Sequence, residues 1–348
     1  MSGEAYSFKE FMRAKQYLFL CLFLIFSFQT LGQDFQFSQQ YTNRLHLNPA
    51  FAGLRSDYSV AAAYRNQWRN LDNGFVTQQI AADYKFKNKK TVAGLIASLD
   101  KTGKAGFTRT QVGGIYGYQT ALNENFAVSV ALQASYGSQR FSFSNLIFGD
   151  QLNDNGTINP SSQENYIYDP VSYLSVAAGG VLYNNQFWFS LAAHHANQPD
   201  IGFGIESKLP VKFTMNTGYK FYVSNYYRDA YLYEFSVTPT ITYTQQQFFK
   251  KTDLGLYFTY TPVTLGLIYR GLPLSSNFTY DPSVAVITGI VLEPFRLAYS
   301  YEVVFNGAGS RSGGAHEIAI SFDKIDYDKI FKSRASKKNY KHIACPAF

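Results

Sequence analysis

Residues 126–136 alternate strictly. Phe126, Val128, Val130, Leu132, Ala134 and Tyr136 are apolar or aromatic, and the interleaved Ala127, Ser129, Ala131, Gln133 and Ser135 are small or polar. A two-residue period is what an extended strand imposes, because its successive side chains point to opposite faces. The pattern returns in residues 295–305, where Phe295, Leu297, Tyr299, Tyr301, Val303 and Phe305 face away from Arg296, Ala298, Ser300, Glu302, Val304 and Asn306. It returns again in 254–260, with Leu254, Leu256, Phe258 and Tyr260 on one side. A soluble β-sandwich also alternates, but its solvent face is normally rich in Lys and Glu. Here the non-apolar face is mostly Ser, Gly, Ala, Thr and Gln, which suits the interior of a barrel whose outer wall meets hydrocarbon.

Composition agrees. Charged residues make up 16% and aromatics 18% of the 348 residues, with 28 Tyr and 31 Phe against 2 Trp. Soluble domains carry roughly 25% charge, and beyond the N-terminal region no segment approaches the roughly 18 unbroken apolar residues of a spanning helix. The N-terminus reads as a secretory signal. Lys9, Arg13 and Lys15 precede an apolar run from Tyr17 to Phe28, and Thr30-Leu31-Gly32 offers a cleavage position. Leu18-Phe19-Leu20 before Cys21 lacks the small residues of a lipoprotein signal, so cleavage is expected to leave Cys345 as the lone cysteine.

The net charge of +7 is localised. Residues 1–32 carry +1 and residues 324–348 carry +5, which leaves +1 for everything between. A near-neutral body excludes the nucleic-acid reading that the bulk charge suggests.

The expected architecture is therefore all-β, a transmembrane antiparallel barrel of about 14 strands behind a signal peptide at 1–32. A periplasmic segment at 33–54 precedes the barrel at 55–323, and a basic periplasmic tail follows at 324–348. Strands are expected near 57–66, 75–86, 91–100, 107–119, 125–137, 172–183, 187–196, 210–222, 230–244, 252–261, 263–270, 283–292, 295–305 and 314–323. Connections after even strands, such as 87–90, 120–124, 184–186, 223–230, 262 and 293–294, are mostly short. Those after odd strands, including 138–171, 197–209, 245–251, 271–282 and 306–313, are mostly longer. That parity is the one expected of periplasmic turns and surface loops.

No catalytic constellation emerges. His194 and His195 are adjacent on a strand and are expected to point to opposite faces, so they cannot share a metal. There is no nucleophile elbow and no phosphate-cradling loop. Gly149 to Gly156 resembles a calcium loop in its Asx and Gly content but lacks the closing glutamate, so it reads as a solvated surface loop. Gly113-Gly114 and Gly179-Gly180 lie within strands, where close packing is the plainer account. No cofactor or metal is expected. Arg65, Asp100, Arg270 and Glu302 lie on or beside faces assigned inward. They read first as an internal salt-bridge network and second as a selectivity ring.

Five short stretches in order resemble the PorP/SprF family of type IX secretion system membrane proteins. They are Gln33 to Tyr41, Leu47-Asn48-Pro49-Ala50-Phe51-Ala52-Gly53, Tyr64-Arg65-Asn66-Gln67-Trp68, Tyr269-Arg270-Gly271 and Gly313-Gly314-Ala315-His316-Glu317-Ile318; the ending Ala344-Cys345-Pro346-Ala347-Phe348 is also similar. The resemblance implies an outer-membrane barrel that assists secretion or surface attachment of a large cargo, such as a gliding adhesin, through its C-terminal sorting domain. It implies contact with periplasmic parts of the machinery and no catalytic residues. Asn48, Pro49, Phe51 and Gly53 would set a turn and an unusual backbone angle before the first strand. Loops 138–171, 197–209 and 271–282 are the expected cargo surface, with Tyr166, Tyr168 and Phe203 as anchors. In the tail, Lys329, Lys332, Arg334, Lys337, Lys338 and Lys341 are expected to dock an acidic periplasmic partner or lipid headgroups of the outer membrane. The rival function is a solute channel or hydrophobic-substrate transporter of the same form.

Overall fold

The computed structural model describes residues 34–71, 74–86, 90–103, 106–142, 146–153, 157–160, 162, 169–228, 231–272, 282–292, 294–305 and 311–324. The chain divides into a unit Met1–Asp34 and a unit Phe35–Phe348, and the second holds everything that follows. The signal region, Tyr166, Tyr168 and the basic tail from Lys329 lie outside the described residues.

Among the described residues, fifteen antiparallel strands form one sheet. They are β1 (Tyr58–Gln67), β2 (Phe75–Lys85), β3 (Thr91–Thr102), β4 (Phe107–Ala121), β5 (Ala127–Arg140), β6 (Val171–Tyr183), β7 (Phe187–His194), β8 (Lys212–Tyr219), β9 (Phe221–Arg228), β10 (Tyr231–Gln246), β11 (Phe249–Tyr260), β12 (Val263–Arg270), β13 (Ser283–Leu292), β14 (Phe295–Val304) and β15 (Ala315–Lys324). The sheet closes because β1 pairs with β2 on one side and with β15 on the other, from Tyr58 opposite Lys324 to Gln67 opposite Ala315. β8 and β9 pair with successive halves of β10, so they are one wall strand interrupted at Lys220. The result is a closed ring of 14 strand positions, as the alternation and loop parity anticipated.

Two connections differ from expectation. Residues 223–230 are mostly strand, because β9 continues to Arg228 opposite Tyr231. Residues 245–251 are not a loop either. β10 and β11 run on to a two-residue turn at Gln247 and Phe248, with Gln247 at φ 52°.

The faces are those the period dictates. On β5, Val130, Leu132 and Tyr136 are exposed, while Ser129, Gln133, Ser135 and Gln139 are buried. On β14, Leu297, Tyr299, Tyr301 and Val303 are exposed, and Ala298, Ser300 and Glu302 are buried. At the end with the short turns, aromatic pairs recur around the rim: Tyr58–Phe322, Phe295–Phe322, Tyr84–Phe86, Phe126–Phe187, Tyr219–Phe221 and Phe235–Tyr260. An apolar outer band with an aromatic girdle is the surface a bilayer requires.

The segment expected on the periplasmic side before the barrel is instead inside it. Residues 35–56 run through the lumen from the loop-side end to the turn-side end, where they join β1. Leu45, Ala50, Phe51, Ala52 and Leu54 are buried in one core with the inward residues Val92, Ile115, Val181, Trp188, Tyr257 and Ile287. In water those side chains would stay exposed. Inside the ring they fill the space between the inward faces, and the segment's polar groups meet the inward Ser, Gln, Asn and charged residues.

Candidate functional site

The segment's local structure follows from its residues. A single helical turn, α1 (Arg44–Leu47), ends at Asn48, which is extended and begins a 3-10 turn, Pro49–Phe51. Asn48 Oδ1 accepts from the Ala50 amide at 2.8 Å, and Pro49 takes the first position of the turn, where a missing N–H costs nothing. Gly53 follows at φ +65°, the left-handed region that favours glycine, and a Cβ there would lie 2.5 Å from Val92 Cγ1. The turn and the unusual angle expected of this motif are present.

The motif's outer contacts are with the wall. Asn48 Nδ2 donates to the Gly180 carbonyl at 3.2 Å and to the Leu191 carbonyl at 2.9 Å. A Cβ at Gly179 would sit 1.9 Å from Asn48 Oδ1, so Gly179 is small because the lumen segment approaches closely. Ser129 Oγ donates to the Ala50 carbonyl and Gln119 Nε2 to the Ala52 carbonyl, both at 2.8 Å. Arg44 grips Asp83 with two bonds, 2.9 and 2.6 Å. Near the turn-side rim, Arg55 and Arg296 flank Asp323.

At the loop-side end the segment enters a buried charge cluster. Arg65 Nη2 lies 2.7 Å from Glu302 and its Nη1 lies 3.3 Å from Glu317; Arg270 Nη1 also binds Glu302, whose other oxygen accepts from Ser283 Oγ at 2.6 Å. Lys251 and Arg270 both face Asp253. Ser38 is at the centre. Its Oγ accepts from Arg65 at 2.7 Å and from Arg270 at 3.1 Å, and donates to Glu302 at 2.8 Å. Three cations and three carboxylates balance, as buried charges must.

Of the charges picked out in the sequence, Arg65, Arg270 and Glu302 come together here. Asp100 does not. It sits two strands from Arg65, accepting from Thr77 at 2.6 Å. The short stretches that carried the family resemblance converge on the same construction. Arg65 is the cross-strand partner of Glu317, and Asn66 of His316. Trp68, at φ 62°, donates its amide to the Gly314 carbonyl at 2.7 Å and packs edge-on against Phe75. Gly271, at φ +84°, donates its amide to Asp253 at 3.3 Å and to the Thr252 carbonyl at 3.1 Å.

Sequence reasoning missed Ser38, Glu317, Lys251, Asp253, Arg44 and Asp83. A readable signal existed for Glu317 and Asp83, each a carboxylate on the inward face of a strand. Phe203 packs on Phe141, which packs on Phe107, beneath Arg109. One further expectation changes. His194 and His195 do not face opposite sides, because φ 57° at His195 turns the chain inward and both rings are buried. His194 bonds the Leu47 carbonyl and His195 bonds Ser175 Oγ.

No curated protein matches the sequence. Among solved structures, the Ralstonia pickettii toluene transporter TbuX aligns at 9% identity over 80% of this chain and 91% of its own, with TM-score 0.46. The CymD monoaromatic hydrocarbon channel aligns at 11% identity over 85% and 96%, with TM-score 0.43. BamA from Haemophilus ducreyi, lacking POTRA domains 1–3, aligns at 9% over 77% and 71%, with TM-score 0.39. The profile of the type IX secretion system membrane protein PorP/SprF matches residues 29–322, nearly the whole barrel with its lumen segment. This protein is an integral outer-membrane barrel, and it belongs to the PorP/SprF family of type IX secretion system membrane proteins.

Proposed function

We propose that the barrel is a non-enzymatic, non-conducting adaptor that holds a secreted type IX cargo protein at its loop-side face, by recognising the cargo's C-terminal sorting domain. One observation carries this reading. Residues 35–56 fill the lumen and bond to inward groups on strands around the ring, from Asp83 on β2 to Ser129 on β5, Leu191 on β7, Asp253 on β11 and Glu317 on β15. On this reading the filled lumen does not conduct, and the usable surface is the loops.

Two apolar side chains on that side stand almost wholly in solvent: Ile205 at 84% and Phe248 at 89% exposure. Each sits in a tight connection, Ile205 between the bridged Asp200 and Lys208, Phe248 between β10 and β11. They join Phe203 as anchors for a partner. The basic tail is assigned to the periplasmic machinery, through Lys329, Lys332, Arg334, Lys337 and Lys338.

Planar-bilayer recording of the purified protein is the test. The adaptor reading expects no steady conductance, together with recovery of a large secreted protein in gentle-detergent affinity purification. Steady, voltage-independent open pores would refute it and leave the channel reading in place.

A further inference from the structure

The two halves of the lumen segment meet different walls. Residues 45–54 bury apolar side chains against Val92, Ile96, Ile115 and Val181 and bond mostly to uncharged wall groups. Residues 36–43 bury Phe37 and Tyr41 and bond to the charged cluster of Arg65, Arg270, Glu302 and Glu317. We infer that the loop-side mouth of the lumen is a peptide-binding site, filled at rest by the chain's own residues 35–40. Its exchangeable ligand is an extended segment of the partner with an aromatic residue followed by a small hydroxyl residue. This rests on the adaptor reading above and specifies what the adaptor binds.

What the wall recognises is generic to a peptide. Glu317 accepts two consecutive main-chain amides, Ser38 N at 2.8 Å and Gln39 N at 3.1 Å, and Gln39 Nε2 returns a bond to the Glu317 carbonyl at 3.0 Å. The hydroxyl of Ser38 is read by Arg65, Arg270 and Glu302 together. Phe37 fills a socket between Ala63 and Ala319, with Phe35 packed beside it. Gln36 Oε1 accepts from Arg270 at 3.3 Å and from Lys251. An aromatic pocket, a hydroxyl reader and a carboxylate for main-chain amides make up the chemistry of a peptide site.

An internal brace alone does not need this arrangement. Arg65 and Arg270 already reach Glu302 directly, so the wall charges are paired without Ser38. Glu317 is paired with Arg65 as well, yet both its oxygens also accept from the segment. The location also fits a ligand from outside. Arg270 is the last residue of β12, immediately before loop 271–282, and Lys251 follows the Gln247–Phe248 turn by a few residues.

The same bonds favour an occupied site. Withdrawing residues 36–39 with nothing in their place leaves Glu317 with Arg65 but gives up the bonds to the Ser38 and Gln39 amides and to the Ser38 hydroxyl. Exchange of one peptide for another keeps those bonds, where simple opening loses them. The apolar half stays docked during exchange, so the turn-side lumen remains closed.

A disulfide lock tests this in the full-length chain. Phe37→Cys with Ala319→Cys, oxidised, would fix the resting segment. Cargo recovered with the barrel should fall at least about tenfold relative to the same variant reduced, with an unchanged heat-shift of the folded barrel on gels. Equal recovery from locked and unlocked forms would overturn the inference. If unlocked and wild-type protein both recover no secreted partner, the adaptor reading fails instead. A second arm reads the site without any cargo. Full-length Gln40→Cys is labelled with a water-soluble maleimide in the presence of millimolar synthetic peptide Phe-Gln-Phe-Ser-Gln-Gln-Tyr-Thr-Asn, and modification at position 40 is followed by mass spectrometry. Labelling should accelerate several-fold, and a peptide with both phenylalanines and the serine replaced by alanine should have no effect. An unchanged rate overturns the inference even if the lock variant does not fold.

Discussion

Asn48 and Gly179 offer a quantitative test of whether the lumen segment is docked by specific bonds. Asn48→Ala removes two hydrogen bonds to wall carbonyls and the cap on the Ala50 amide. At about 1 kcal/mol for each buried bond, the loss is about 3 kcal/mol. Gly179→Ala leaves those groups intact but places a methyl 1.9 Å from Asn48 Oδ1 and 3.2 Å from Pro49 Cδ. Asn48 must withdraw, so the same bonds are lost and about 1 kcal/mol of overpacking is added. The double variant has neither the clash nor the bonds, and should cost about 3 kcal/mol where the singles sum to about 7. Urea unfolding in detergent can be followed by tryptophan fluorescence. Trp188 is fully buried, edge-on to Tyr41 of the segment and hydrogen-bonded to Asn216, so it reports on docking directly. Additivity within about 0.5 kcal/mol, or a Gly179→Ala variant as stable as wild type, would refute the argument.

Asp83→Asn removes the charge that the buried guanidinium of Arg44 grips and should destabilise the segment by about 1.5–3 kcal/mol, seen as faster amide exchange over residues 44–54. Leu132→Arg places a charge on the lipid face of β5 and should lower the stability of the refolded barrel by about 2–4 kcal/mol; Gln139→Ala, on the inner face, should not respond to bilayer thickness. Phe248→Asp and Ile205→Asp should reduce cargo recovery several-fold without shifting the urea midpoint, since both side chains are solvated. Asp200 is held below the usual carboxylate range by the amides of Ser207 and Gly202. A depressed pKa means its support for the 200–208 turn is present above the unfolded value and lost as pH falls through the folded one. Tryptic-type cleavage at Lys208 by an acid-tolerant protease should therefore rise below about pH 4, and Asp200→Asn should show it already at neutral pH.

Which parts of the protein were legible in the sequence follows from where the relevant partners lie. On β5 and β14 the alternation assigned the faces residue by residue, because side-chain period is a local property and the bilayer selects the apolar set outward. The length of the connections fixed a ring of even strand number for the same local reason. Arg65, Arg270 and Glu302 were visible as charges on inward faces. Their grouping was not, since Arg65 and Glu302 are separated by 237 residues and meet only when β15 closes on β1. The break at Lys220 was hidden because neither its strand nor the next loses apolar character there, and the bulge between Phe235 and Ser236 that absorbs it lies across the pair.

Residues 35–56 mark the boundary most clearly. By itself, the sequence determined that Asn48-Pro49 turns the chain and that Gly53 takes a left-handed angle, because both are dictated by backbone sterics within a few bonds. It did not determine that this stretch lies inside the ring. The segment has no period of its own, and Ser38, Arg44 and Asn48 are ordinary polar residues until Glu317, Asp83 and the Gly180 carbonyl are brought to them. Only closure of the barrel supplies those partners and removes the water that would otherwise compete for them.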